Sequence, residues 1–252
     1  MFNKNLEIKM KLFLFVVLAF IFNLILLLIQ KRTNIRFEKI SINLPQFAPA
    51  LAFLVTISLF RDLFRPIIMN FNRIVFTKIF LAIIIPIALY TLTYYLGMLI
   101  GIDVKIQANL FPTLITCLFG LIIGSIGEEM GWRIFLQPLL EYKYSKFVSS
   151  LIVGLIWGIW HIIHYKNGLL FMTGYVLFTI SISIVFVYLL KDTQNNLIIA
   201  TIFHTAINAS FMTFFYGNYA NIKIWLISWI VWLVAAIIVM IYERKYYFIK
   251  TK

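Results

Sequence analysis

The chain has 252 residues, 63% hydrophobic and 12% charged, with a formal net charge of +13. That composition excludes a soluble domain of this size, and recurring stretches of about 20 apolar residues mark an all-α, polytopic membrane protein. The lysines and arginines lie in loops and tails, which speaks of topology and anionic lipid rather than nucleic acid, and a single cysteine, Cys117, excludes an intramolecular disulfide and a cysteine-based zinc site.

Lys4, Lys9 and Lys11 precede an apolar run from Leu12 to Ile29. The run is long enough to span, and Ile29-Gln30-Lys31-Arg32 offers no small-residue cleavage site, so an uncleaved first helix is expected. A basic stretch from Lys31 to Lys39 leads to a second span over Leu44 to Phe60, entered through Pro45 and Pro49. The third runs from Ile79 to Ile100 with Pro86 as a kink, and Gly101-Ile102-Asp103 breaks it. The fourth covers Leu110 to Ile126. Its helix is expected to continue through Leu136, stop near Pro138, and place its short second half in the membrane interface. Phe147 to Ile163, Leu169 to Leu190, Leu197 to Phe215 and Ile224 to Tyr242 complete eight spans, with turns at Asn167-Gly168 and Tyr216-Gly217-Asn218. No internal repeat and no soluble module is visible, so residues 1–252 read as one integral membrane domain. The distribution of lysine and arginine favours cytoplasmic termini, the stretch from Lys31 to Lys39 being the exception. The expected location is the cell membrane.

The end of the fourth span holds the residues of most chemical interest, Gly127-Glu128-Glu129-Met130-Gly131-Trp132-Arg133. Two of the chain's nine acidic residues stand side by side here. A charged side chain at bilayer depth costs on the order of 2.5–3.5 kcal/mol on insertion scales, so such groups mark function by default. Arg133 lies one helical turn after Glu129 and can pair with it. Glu128 points about 100° away and has no local partner. Spacing alone also allows both glutamates to be merely structural.

All three histidines sit in or beside apolar runs. His204 and Asn208 share a helix face; His161 and His164 lie on another helix. A glutamate, a histidine and a His/Asn pair from three helices suffice for water attack on a carbonyl, supplying base, water orientation and oxyanion donors. The same types suffice for a mononuclear zinc site built from His161, His204 and a carboxylate. Both readings stay open at this stage. Each residue also has a plain alternative, an interhelical hydrogen bond. Trp132, Trp157 and Trp160 read as packing or interfacial anchors.

Glu128-Glu129-x-x-x-Arg133, Trp157-x-x-x-His161 and His204-x-x-x-Asn208 resemble the three motifs of the CPBP intramembrane proteases, the group that includes CAAX prenyl endoproteases and bacterial Abi-type proteins. Leu136-Gln137-Pro138 also fits the first motif. Trp132 and Trp157 stand where the family typically has Phe, which puts substrate fit in doubt rather than the catalytic groups. The motif core covers about residues 110–215. The resemblance implies an eight-helix fold with an active site inside the bundle, open to the cytosol. It implies Glu128 as general base, His161 as water activator, His204 and Asn208 as oxyanion holders, and Glu129 and Arg133 as supporting residues. A metalloprotease version would use His161 and His204 as ligands of a divalent metal such as zinc; a metal-free glutamate mechanism is equally open. The implied partners are the bilayer and a membrane-associated peptide or protein substrate, with roles in CAAX-like or other peptide processing or in bacteriocin immunity. The competing classes are a proton- or ion-coupled transporter, which predicts paired half-helices not seen here, and a non-catalytic membrane immunity or scaffold protein.

Overall fold

In the computed structural model of the protein, each apolar run of the sequence is helical, and the described residues contain no strand. Those residues are 2–32, 42–63, 66–104, 110–215, 218 and 221–249. Most of the basic stretch after Arg32 and the Tyr216-Gly217 part of the turn expected before the last span lie outside them. The elements in order are α1 (Phe2–Arg32), a 3-10 turn (Leu44–Phe47), α2 (Ala48–Leu59), α3 (Arg73–Leu99), α4 (Leu110–Glu129), a π-helical segment (Met130–Leu136) and α5 (Gln137–Glu141). Then come α6 (Lys146–Trp160), a 3-10 segment (Ile162–Asn167), α7 (Leu169–Leu190), α8 (Leu197–Phe215), α9 (Ile222–Tyr242) and α10 (Arg244–Phe248).

Among the described residues, five helices are long and apolar enough to cross a membrane: Ile8–Arg32 within α1, then α3, α7, α8 and α9. The chain is a polytopic helical membrane protein. Leu44–Leu59 and Lys146–Trp160 are apolar but shorter, and α4 has 20 residues, about 30 Å at 1.5 Å per residue. The inequality has local causes. Pro45 and Pro49 each occupy a first-turn position, where a missing N–H costs nothing, so the chain enters α2 through a tight 3-10 turn. Helix α6 starts at an N-cap, Ser145, whose hydroxyl accepts from the Val148 N–H. It stops at His161, whose backbone leaves the helical region, and Gly168 at φ 89° turns the chain into α7. The start of α2, beside Gln46, and the end of α6, at His161, therefore meet at one cavity with polar side chains.

The fourth span departs from the sequence reading. The helix does not stop near Pro138; it widens into the π segment and resumes as α5 through Glu141. Pro138 removes the donor an α-helix would use there, and the Gln137 N–H reaches the Trp132 carbonyl in the wider register. This second half is not on the protein surface. Gly131 to Leu136 are buried, because the segment packs against α2, with Gly131 flush against Pro49. Trp132 has no exposed surface and meets Phe15 and Trp160 edge-on.

The core is aromatic and centred on α7. Gly154 and Gly158 let the α6 backbone approach Ile180 and Val176 of α7, and the Thr179 hydroxyl donates to the Gly154 carbonyl across that contact. Phe186 on α7 meets Phe203 on α8 at 4.7 Å, and Phe203 meets Trp232 on α9 at 6.0 Å. Cys117 is free and buried. Beyond the end of α7, Lys191 pairs with Glu243 at 2.8 Å, a hydrogen bond that holds the ammonium above its ordinary range.

Candidate active site

Polar side chains from seven elements border one cavity of about 320 Å³. Its walls include Asn23 of α1, Gln46 of the 3-10 turn, Glu128 of α4, Trp157 of α6 with His161 at its end, Tyr175 of α7, and His204 and Asn208 of α8. All four residues assigned a catalytic role by resemblance thus border one space, and His164 borders it too. Clustering of this kind is what the cost of polar groups in hydrocarbon requires.

Glu129 lies outside that lining and is fully buried. Its Oε2 accepts from Arg133 Nε at 3.1 Å, the one-turn pair expected from spacing. Its Oε1 lies 2.7 Å from His204 Nδ1. An ionised carboxylate only accepts, so Nδ1 carries the proton and His204 keeps Nε2 for other work. Arg133 donates from Nη1 to Ser183 Oγ at 3.1 Å, and its guanidinium lies 4.0 Å from the Phe186 ring centroid and 5.0 Å from that of Trp157. Its Nη2 has no partner among the described residues.

Glu128 is buried but borders the cavity, and its partners come from far along the chain. Gln46 Nε2 donates to Oε1 at 2.9 Å, and Trp157 Nε1 donates to Oε2 at 2.7 Å. His161 Nδ1 lies 2.7 Å from the Trp157 carbonyl. A carbonyl cannot donate, so this ring too is protonated on Nδ1, and the neutral form keeps a lone pair on Nε2. His161 stacks on His164 at 5.8 Å, with Tyr175 5.0 Å from His161.

Sequence reasoning missed two contributors. Gln46 lies in the N-terminal half, where no motif was recognised. Its only local signal is an amide in Pro45-Gln46-Phe47-Ala48-Pro49, at the mouth of an apolar run. Trp157 was singled out as packing; the structure corrects this, since its indole N–H is bonded to Glu128. Trp160 is buried as a packing residue and also donates to the Ala19 carbonyl at 3.1 Å.

The zinc reading needs three donors to converge. Among the described residues, no three His, Cys, Asp or Glu side chains gather closely enough to hold a metal ion. Hydrogen bonds hold both histidine Nδ1 atoms and leave Nε2 of each ring as its free donor atom. Glu128, His161 and His204 border one cavity without closing on a single ion position.

Fold and site together define a helical membrane protein with a buried Glu/His/Asn cavity. Over residues 108–210 the chain is similar to the family described as Type II CAAX prenyl endopeptidase Rce1-like. It is 27% identical over 202 residues to lysostaphin resistance protein A of Staphylococcus haemolyticus, covering 78% of this chain and 55% of that protein. It is 26% identical over 144 residues to CAAX prenyl protease 2 of Methanococcus maripaludis, covering 53% and 52%. Lysostaphin resistance protein A of Staphylococcus epidermidis is 25% identical over 255 residues, covering 96% and 65%. The chain thus spans from about half to just under two thirds of the length of these relatives.

Proposed function

We propose that the protein is an intramembrane endopeptidase that hydrolyses a peptide bond with a water activated by Glu128 and His161. The observation that carries this reading is the convergence of Glu128, His161, His204 and Asn208 on one cavity, within the segment that matches the endopeptidase family. Glu128 takes a proton from water as the oxygen attacks the substrate carbonyl carbon. His161, protonated on Nδ1, accepts the other water hydrogen bond at Nε2. Charge develops on the former carbonyl oxygen, where the Asn208 amide and His204 Nε2 act as donors. Donation from Nε2 requires the imidazolium form, and Glu129, at Nδ1, is its counter-ion. Collapse of the tetrahedral intermediate breaks the C–N bond, and protonated Glu128 returns its proton to the leaving nitrogen. Glu129 and Arg133 support this arrangement without touching substrate.

The proposed substrate is a membrane-associated peptide or protein, cut near the membrane surface. One relative is named for CAAX prenyl proteolysis and two for lysostaphin resistance, so prenylation is one option, and a role in peptide maturation or bacteriocin immunity another. Contacts of α1 with α2 and of α2 with the π segment favour one membrane domain that includes the first helices. The lysine and arginine balance favours cytoplasmic termini.

The test compares membrane-associated peptides from cells with wild type, with Glu128→Gln and without the protein. Glutamine keeps size and hydrogen-bonding capacity but cannot act as a base at neutral pH. A precursor should accumulate equally in the deletion and Glu128→Gln strains. A scaffold would keep its phenotype with Glu128→Gln, and a proton-coupled carrier would lose transport without an accumulating precursor. Identical profiles for wild type and Glu128→Gln, where deletion changes them, would end the protease reading. Treating purified wild type with a chelator separates the mechanisms: activity is retained in the metal-free route and lost in a zinc-assisted one.

A further inference from the structure

We propose that Gln46 and Trp157 are positioning residues for Glu128, two neutral N–H donors that fix its carboxylate toward the cavity without a direct ion pair. The inference rests on the endopeptidase reading for its consequence, but not for the contact itself.

Three independent features support it. The first is the division of labour at the oxygens: Gln46 holds Oε1 at 2.9 Å and Trp157 holds Oε2 at 2.7 Å. A carboxylate offers about four acceptor sites, so two donors on different oxygens stop it rotating yet leave capacity on both for water. Neither donor is a cation. The adjacent guanidinium is bonded to Glu129 instead.

The second is the way the fold delivers each donor. Gly127 lies so close to the 3-10 turn that a Cβ there would stand 2.7 Å from the Gln46 carbonyl oxygen, and one at Gly124 would collide with the Gln46 amide itself. The turn is therefore pressed onto the helix that bears Glu128, one residue further on. Trp157 is held on several sides. Its ring lies 5.4 Å from that of His204, 5.8 Å from that of His161 and 6.4 Å from that of Phe186.

The third is that the Trp157 contact is not a by-product of burying an indole. Trp132 and Trp229 are buried with their Nε1–H unpartnered among the described residues. Trp157 also stands where the family motif typically has Phe, a side chain with no N–H to give. The bond to Glu128 thus belongs to this chain's own residue.

The experiment has two arms on the full chain purified in lipid nanodiscs. In the first, the six tryptophans are labelled at the indole nitrogen, and Trp157→Phe assigns the Trp157 N–H resonance by its disappearance. The contact predicts that this resonance lies downfield and moves upfield more than the others in Glu128→Gln. In the second, an internally quenched, farnesylated peptide ending in a CAAX sequence is the probe. Trp157→Phe and Gln46→Leu should each lower kcat by roughly ten- to a hundredfold, the range for losing a hydrogen bond to a charged group, with KM nearly unchanged. A purely packing role would instead lower the amount of folded protein and leave kcat per folded molecule intact. An indole resonance indifferent to Glu128→Gln overturns the contact, and wild-type kcat in both variants overturns the positioning role. If wild type leaves the probe uncut, that counts against a CAAX-directed endopeptidase, and the clamp stands or falls on the resonance alone.

Discussion

Glu128 borders a cavity and accepts from two neutral donors, whereas Glu129, the next residue, has no exposed surface and is bonded to Arg133 and His204. One step of about 100° around the helix separates the two environments. A carboxylate shared between a guanidinium and an imidazole has its charge compensated and its lone pairs engaged, which suits holding other groups in place. A carboxylate oriented by an amide and an indole keeps its charge available at the cavity wall, which suits taking a proton. Two identical residues in sequence therefore acquire different chemistry from what packs on each face, and the predictions below test whether the division is real.

The largest effect is expected at the cavity face. Glu128→Gln should insert and fold normally yet lose turnover by about 100- to 10,000-fold, the usual contribution of a general base. Measuring cleavage per folded molecule, with thermal stability of the purified variant alongside, checks both halves. A large stability loss in Glu128→Gln would erase the contrast with Glu129.

On the buried face the loss should appear in folding. Arg133→Ala leaves Glu129 without its guanidinium in a site closed to solvent, and breaking one partner of a buried pair costs roughly 3–5 kcal/mol. The level of folded protein in membranes and the denaturation midpoint are the readouts. If both, and proteolysis as well, stayed at wild-type values, the supporting role of the pair would be wrong.

His204 belongs to both faces, since Nδ1 contacts Glu129 while the ring borders the cavity. His204→Ala should lower kcat by about 100- to 1,000-fold, as for one oxyanion donor, and should also lower stability by about 1–3 kcal/mol by leaving Glu129 a partner short. Loss of only one of the two would assign His204 to a single face.

How much of this the sequence disclosed follows from the range of the interactions. The Glu129–Arg133 pair was legible because it is set by helical periodicity over four residues. The meeting of Glu128, His161, His204 and Asn208 was legible through the cost of polar groups in an apolar bundle and through motif resemblance. Gln46 was not, because it reaches Glu128 across 82 positions, and the reason is a backbone contact at Gly127. The aim of the Trp157 N–H was not either: periodicity gives a side chain's face but not the direction of its ring. The π register of Met130–Leu136 depends on packing against Pro49 as well as on Pro138, so only the proline was visible beforehand.

The smallest expected effect gives the finest test of the division. Ser183 is buried on α7 and accepts from Arg133 Nη1 at 3.1 Å. It is not among the residues that border the cavity. Ser183→Ala removes one acceptor from a buried guanidinium whose Nη2 already lacks a partner among the described residues. The expected loss is about 1.5–3 kcal/mol of stability, the range for a hydrogen bond to a charged group. Arg133 keeps Glu129 and the face of Phe186, so its position should hold. Turnover per folded molecule should then match wild type, because the strain stops at Glu129 and does not pass to Glu128. A fall in kcat with unchanged stability would show that the two faces of α4 are coupled through Arg133 and the Trp157 ring it overlies, and the separation drawn between the neighbouring glutamates would have to be abandoned.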